Sequence, residues 1–329
     1  MQRQQHLATW LSHIFPEENF TLAPASADAS FRRYFRVTFS DRTLIAMDAP
    51  PLQEDSRPFL HVAKLFEAAG TNVPQIYADD LQQGFLLLSD LGNTTYLEAL
   101  NAGGNPVKLY AEATEALIKI QLATQQDQLP PYDEALLRRE MNLFPDWYIA
   151  KHHQMTLNDK QRAGLESIFA RIVANNLAQP RVYVHRDYHS RNLMVTEPNP
   201  GILDFQDAVY GPITYDLVSL FKDAYIGWEE AQIIDWLIRY WEKARKAGLA
   251  VNDDFSLFYR DYEWMGVQRH LKVLGIFARL SYRDGKDNYL KDMPLVMAYL
   301  RAACVRYIDL KPLLNLLDEL EPQMTGYTF

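Results

Sequence analysis

The chain has 329 residues and a mass of 38.1 kDa, longer than the roughly 250–300 residues at which a single hydrophobic core stops growing, so two domains are expected. Hydrophobic residues make up 48% and charged residues 23%, an ordinary globular balance that excludes collagen-like, disordered and coiled-coil chains. The net charge of −9 lacks the basic footprint that nucleic acid or an acidic membrane surface requires, so neither is expected as a partner. The single cysteine, Cys304, rules out an internal disulfide and a thiol-rich zinc site, and a cytoplasmic location is expected.

From the amino terminus, Gln4 to Pro16 is a 13-residue stretch without Asp, Glu, Lys or Arg, too short to cross a bilayer. Its apolar residues Leu7, Trp10, Leu11, Ile14 and Phe15 fall at helical spacing, which predicts an amphipathic helix on the body of the protein and no signal peptide. Ser30 to Phe39 alternates Phe31, Phe35, Val37 and Phe39 with Arg32, Tyr34, Arg36 and Thr38, the period of a half-buried strand. Leu44 to Asp48 reads as its partner after the Asp41-Arg42 turn, Arg57 to Ala69 as a helix stopped by Gly70, and Phe85 to Leu88 as a buried strand. After Gly92 the pattern becomes helical: 105–124, 132–152 with a kink at Pro145, 156–178, 228–248, 254–281 and 287–320. One strand-loop-strand insert, Val182 to Asp204, interrupts these helices as an embedded hairpin. The class expected is α+β and bilobal, with a sheet-rich domain over 1–91, a helical domain over 92–329, and a cleft between them.

The insert carries the chemistry. Its string H-x-D-x-x-x-x-N, from His185 through Asp187 to Asn192, is followed twelve residues later by Asp204 at the end of an apolar strand. Phosphoryl transfer needs a carboxylate beside the acceptor hydroxyl and oxygen ligands for a Mg²⁺ that bridges ATP phosphates. This ordered set offers Asp187 as the base and Asn192 and Asp204 as metal ligands, whereas each residue alone would pass for a turn former. The cofactors expected are therefore ATP and Mg²⁺. On the later helix, Trp264, Gln268 and Lys272 repeat every four residues and share a face, with Arg269 one step round; together with Trp147 they are expected to bind the acceptor.

These strings resemble the protein-kinase-like fold, and within it the aminoglycoside phosphotransferase and choline kinase superfamily. Small-molecule kinases of that superfamily often carry His two residues after the catalytic Asp, as His189 stands here, which implies a small-molecule acceptor and a substrate-side role for His189. The resemblance also implies that His185 organises the loop, and that Asp216, in the segment Gly211-Pro212 to Asp216-Leu217, braces it. Phe85 to Gly92 resembles the hinge that pairs with adenine, implicating Leu88, Ser89 and Asp90. The Ser30 to Arg36 hairpin stands where kinases cover the phosphates, but it lacks the glycine pattern, and Met47 occupies the place of the usual strand lysine. Ser30, Arg33 and Arg36 are therefore assigned to the nucleotide, with Arg33 or Arg36 supplying the missing positive charge.

Longer strings, among them Met47-Asp-Ala-Pro-Pro51, Glu140-Met-Asn-Leu-Phe-Pro-Asp-Trp-Tyr148 and Met265-Gly-Val-Gln-Arg-His-Leu-Lys272, are similar to the anomeric sugar kinases that phosphorylate N-acetylmuramate and N-acetylglucosamine in peptidoglycan recycling. That similarity implies an amino-sugar acceptor phosphorylated at C1; the sequence leads to no inference of an obligate protein partner. Two competing expectations are an aminoglycoside or other small-alcohol phosphotransferase, which an acidic acceptor pocket would mark, and a non-catalytic nucleotide-binding regulator, which absent ATP turnover would mark.

Overall fold

The computed structural model describes residues 2–27 and 31–321, with 26 and 27 described by backbone alone. The chain divides into two compact units, one of Met1–Gly104 with Arg191–Asp207 and one of Asn105–Ser190 with Ala208–Phe329.

In the first unit, helix α1 (Gln2–Ile14) precedes strands β1 (Thr21–Ala27), β2 (Arg33–Thr38) and β3 (Thr43–Asp48). Helix α2 (Arg57–Ala68), strands β4 (Ile76–Asp80) and β5 (Phe85–Ser89), and helix α3 (Tyr96–Asn101) follow. The sheet is antiparallel in the order β1-β2-β3-β5-β4. Alternation decides which way its side chains face: Phe35, Val37, Leu44, Ala46, Phe85 and Leu87 form a core with Leu7 and Leu11 of α1. Each large apolar side chain buried there contributes about 1.5–3 kcal/mol. Tyr34 and Arg36 of β2 lie opposite Met47 and Ile45 of β3, and the period of two sends these four to the other face of the sheet. A capping box between Thr95 and Glu98 starts α3.

The chain continues through α4 (Pro106–Leu122), α5 (Glu134–Met141), a π-helical segment over Phe144–His152, and α6 (Asp159–Leu177). Pro145, which lacks a backbone donor, sits in the first turn of the π-helical segment where the sequence predicts a kink. Four short strands come next: β6 (Arg181–Val184), β7 (Leu193–Met194), β8 (Gly201–Ile202) and β9 (Val209–Pro212). The insert is not one hairpin. β6 pairs with β9, and β7 pairs with β8, so the loop after β6 opens one two-stranded sheet while the metal-ligand candidates flank another. The β7–β8 ribbon joins the first unit through backbone bonds from Val195 to Thr94 and from Ile202 to Asn72.

Helices α7 (Tyr215–Phe221), α8 (Glu230–Ala247) and α9 (Phe255–Asp284) follow. The segment 287–320 is divided into a 3₁₀ turn, α10 (Met293–Arg306), a second 3₁₀ turn and α11 (Lys311–Leu320), with Pro294 and Pro312 in the first turns of the two helices. Helix α9 is buried on every side from Tyr262 to Gly275. It packs closely on the π-helical region at Gly275, where a Cβ would lie 2.3 Å from the backbone carbon of Leu143. Among the described residues no helix is long and apolar enough to cross a membrane.

Candidate active site

The base candidate belongs to the helical unit. After β6, the backbone amides of His185 and Arg186 donate to the two carboxylate oxygens of Asp216, at 2.7 and 3.0 Å. Asp216 stands in the first turn of α7, so the loop is tied to a helix amino terminus through a buried carboxylate. Burial pushes the Asp216 carboxyl up to about 7, the two amides and Arg269 drawing it back down. His185 is fully buried, and its Nδ1 accepts the amide of Asp187 at 3.2 Å. Arg186 adopts a left-handed backbone, φ 77°, an uncommon state for a long side chain that marks a constrained loop.

Asp187 is half-buried. Burial would raise its carboxyl, but Lys272, Arg269, His189 and Arg186 outweigh that and hold it well below the usual carboxylate range. Arg269 approaches Asp187 at 3.8 Å, donates to the Arg186 carbonyl at 2.7 Å, and donates to the Tyr215 hydroxyl at 3.0 Å. Lys272 donates to the same hydroxyl at 2.9 Å and lies 3.2 Å from Glu140. Gln268 donates to Glu140 at 3.0 Å and to Tyr132 at 3.3 Å. Arg186 and the Tyr132 hydroxyl also donate to Glu140. Burial raises the Glu140 carboxyl, and Lys272 and Arg186 lead the groups that bring it down to about 2.

Gln268, Arg269 and Lys272 are thus all buried: Arg269 reaches the loop at Arg186, while Gln268 and Lys272 meet on Glu140. Trp264 is buried too, beside Tyr307 at 6.1 Å between ring centroids and beneath the Arg260 guanidinium. Trp147 is half-buried in the π-helical segment. The His189 ring meets Tyr225 edge-on at 5.4 Å. Sequence reasoning assigned no role to Glu140, Tyr132 or Tyr215; the available signal for Glu140 was an acid at an apolar position, in step with Leu137, Met141 and Phe144.

The metal-ligand candidates belong to the sheet unit. Pairing of Leu193 with Ile202 sets Asn192 beside Asp204: the Leu203 amide donates to the Asn192 carbonyl at 2.9 Å, and the Asn192 side-chain amide donates to Asp204 at 3.3 Å. Gln206 donates to the second Asp204 oxygen at 2.9 Å. Asp204 is in the left-handed region, φ 63°, and Phe205 anchors it by packing on Phe59 and Phe66 of α2, at 4.9 and 5.8 Å. Both offer side-chain oxygens, the donors Mg²⁺ takes when it draws most of its other ligands from water and phosphate.

A cavity of about 450 Å³ in this unit is lined by Asn192 and Asp204, by Leu88, Ser89 and Asp90, and by Tyr34 and Arg36 of β2. Arg36 lies on this cavity face, and its guanidinium donates to Asp90 at 2.6 Å and to the Gly92 carbonyl at 3.1 Å. Burial raises the Asp90 carboxyl, but Arg36, Thr43 and the Gly92 amide together lower it. Arg33 is on the opposite face, paired with the buried Asp48, which also accepts from Arg3 at 2.9 Å. Met47 is fully buried. Ser30 lies outside the described residues.

The model of the Phosphotransferase enzyme family matches residues 21–249, more than half of the chain. The chain belongs to that phosphotransferase family. It is 52% identical to an N-acetylmuramate/N-acetylglucosamine kinase of Neisseria meningitidis serogroup B, covering all of both chains. It is 51% identical to a protein of the same name from Pseudomonas aeruginosa, over 97% of each. Among solved structures, ADP-bound aminoglycoside phosphotransferase APH(2'')-Ib superposes with a TM-score of 0.61 over 89% of this chain and 97% of that one. At 13% identity that likeness is one of fold, and it places this phosphotransferase among proteins with a sheet unit and a helical unit of this kind.

Proposed function

We propose that this phosphotransferase uses Mg²⁺ and ATP to phosphorylate the C1 hydroxyl of N-acetylmuramate and N-acetylglucosamine. The observation that carries the reading is identity of about half over the whole chain to kinases named for those two sugars. Asp187 is the base: its carboxylate is ionised at neutral pH, so it orients the acceptor hydroxyl and takes its proton as the bond to phosphorus forms. When bound, Mg²⁺ offsets phosphate charge, and Asn192 and Asp204 are the residues that would hold it. The cavity along Leu88 to Gly92 takes the nucleotide, and Arg36 provides the positive charge that Met47 does not. His189 is assigned to the acceptor side. Aminoglycosides carry several ammonium groups, and the cations Arg186, Arg269 and Lys272 around Asp187 argue against such an acceptor.

The test is a coupled assay of ATP turnover with N-acetylmuramate, N-acetylglucosamine and a kanamycin-type aminoglycoside, with phosphorus NMR of the product. Turnover on the two sugars and phosphorus coupling to the anomeric proton are expected. A product phosphorylated at C6, or turnover on the antibiotic alone, would overturn the substrate assignment, and no turnover with any acceptor would favour a regulator.

A further inference from the structure

Five residues beneath the base form a closed circuit. Glu140 accepts from Arg186; the Arg186 carbonyl accepts from Arg269 at 2.7 Å; Arg269 and Lys272 share the Tyr215 hydroxyl at 3.0 and 2.9 Å; and Lys272 returns to Glu140 at 3.2 Å. The Glu140 carboxylate is 6% exposed, and it also receives Gln268 at 3.0 Å and Tyr132. The circuit gathers three cations about the Glu140 carboxylate in a place where water does little screening, and Arg269 carries it to within 3.8 Å of Asp187. Charges buried in this way must be paired and hydrogen-bonded.

We propose that Glu140 is a positioning residue for Asp187, the counter-anion that holds Arg186 and Lys272 so that the base is not captured by them. The inference rests on the reading of Asp187 as the base. Its physical content is a competition. Arg186 directly precedes Asp187, and its guanidinium and the Lys272 ammonium each attract the carboxylates of both Glu140 and Asp187; without Glu140, their pull towards Asp187 is no longer opposed by that anion. A carboxylate saturated by cations has no lone pair directed at an acceptor hydroxyl and a weaker pull on its proton. With Glu140 in place, the Arg186 side chain is anchored on α5 while its backbone carbonyl is held by Arg269 on α9, so both ends of the residue before the base are fixed.

Glu140→Gln removes the charge and keeps the shape. Its kcat should fall about 10- to 100-fold, with KM for ATP and for sugar changed by less than about threefold, since substrate contacts are untouched. Because an unbalanced buried cation can prevent folding, the double variant Glu140→Gln/Lys272→Met, which removes one cation with the anion, is measured beside it. The double variant should recover thermal stability while its kcat stays low, Arg186 still lacking its anchor. Wild-type kcat in either folded variant, or a rise in KM with kcat preserved, would overturn the proposal. Asp187→Asn in the same assay separates the two readings: retained turnover there would remove the base assignment itself, whereas lost turnover there with wild-type kcat at Glu140→Gln would remove only the role of Glu140.

Discussion

Arg269 holds the backbone carbonyl of Arg186 at 2.7 Å while its second terminal nitrogen stands 3.8 Å from the Asp187 carboxylate. One planar fork therefore fixes both the peptide before the base and the charge beside it, a task the single point charge of lysine performs poorly. Arg269→Lys should retain the fold and lose about tenfold or more in kcat, with Arg269→Ala lower still. Because Arg269 is buried, the loss should be the same for N-acetylmuramate and N-acetylglucosamine. A loss confined to muramate, measured as kcat/KM, would place this guanidinium against the lactyl carboxylate instead.

The two arginines of β2 should behave differently. Arg36 lies on the cavity face and Arg33 beside α1, paired with Asp48. Arg36→Ala is expected to raise KM for ATP about tenfold with the sugar KM little changed, the loss of one charge-assisted contact. Arg33→Ala is expected to leave ATP kinetics alone and to lower the melting temperature, since Asp48 is buried and loses a partner. Equal effects of the two on KM for ATP would refute the division.

Glu140 should register in acid stability. Its carboxyl is lowered from an ordinary 4.5 to about 2, so the unfolded chain takes up that proton first as pH falls. The stability it contributes is fully present above about pH 5 and is lost on descending from there towards pH 2, on the order of 3 kcal/mol in all. Urea midpoints at pH 5 and pH 3 should therefore differ less in Glu140→Gln than in the wild type. An identical decline in both proteins would show that Glu140 is not the group being titrated.

Gly275 is required by proximity. A Cβ there would lie 2.3 to 2.5 Å from the backbone and Cβ of Leu143, and backbone cannot swing aside as a flexible side chain can. Gly275→Ala should cost about 1–3 kcal/mol or more through forced displacement of α9. Thermal unfolding at the wild-type temperature would contradict this.

The features legible in the sequence were those set by local periodicity. α1 was visible from Leu7, Trp10, Leu11 and Ile14, β2 from the alternation of Phe35 and Val37 with Tyr34 and Arg36, and β3 as its partner after the Asp41-Arg42 turn. β1 and β4 were not, because they are the edges of the sheet, where the strings TLAPASA and IYADD need not alternate cleanly. The partner of β6 was misjudged because β9 lies beyond the β7–β8 ribbon, and pairing at that range leaves no mark in either strand. The segment 287–320 kept its apolar rhythm across two breaks, so it read as one helix. In the candidate site, the H-x-D loop was legible because its chemistry is consecutive in the chain. Glu140 was not, because what makes it informative is its distance from Lys272 on a helix more than 100 residues later.

The left-handed backbone at Asp204, φ 63°, limits what any variant library can explore there. Glycine, asparagine and aspartate accept that conformation with least strain. Of the three, only aspartate brings a negative charge, while glutamate, the other carboxylate, has a longer side chain less suited to the backbone. Asparagine is thus the substitution that separates charge from conformation at this position, and most other replacements would alter both at once.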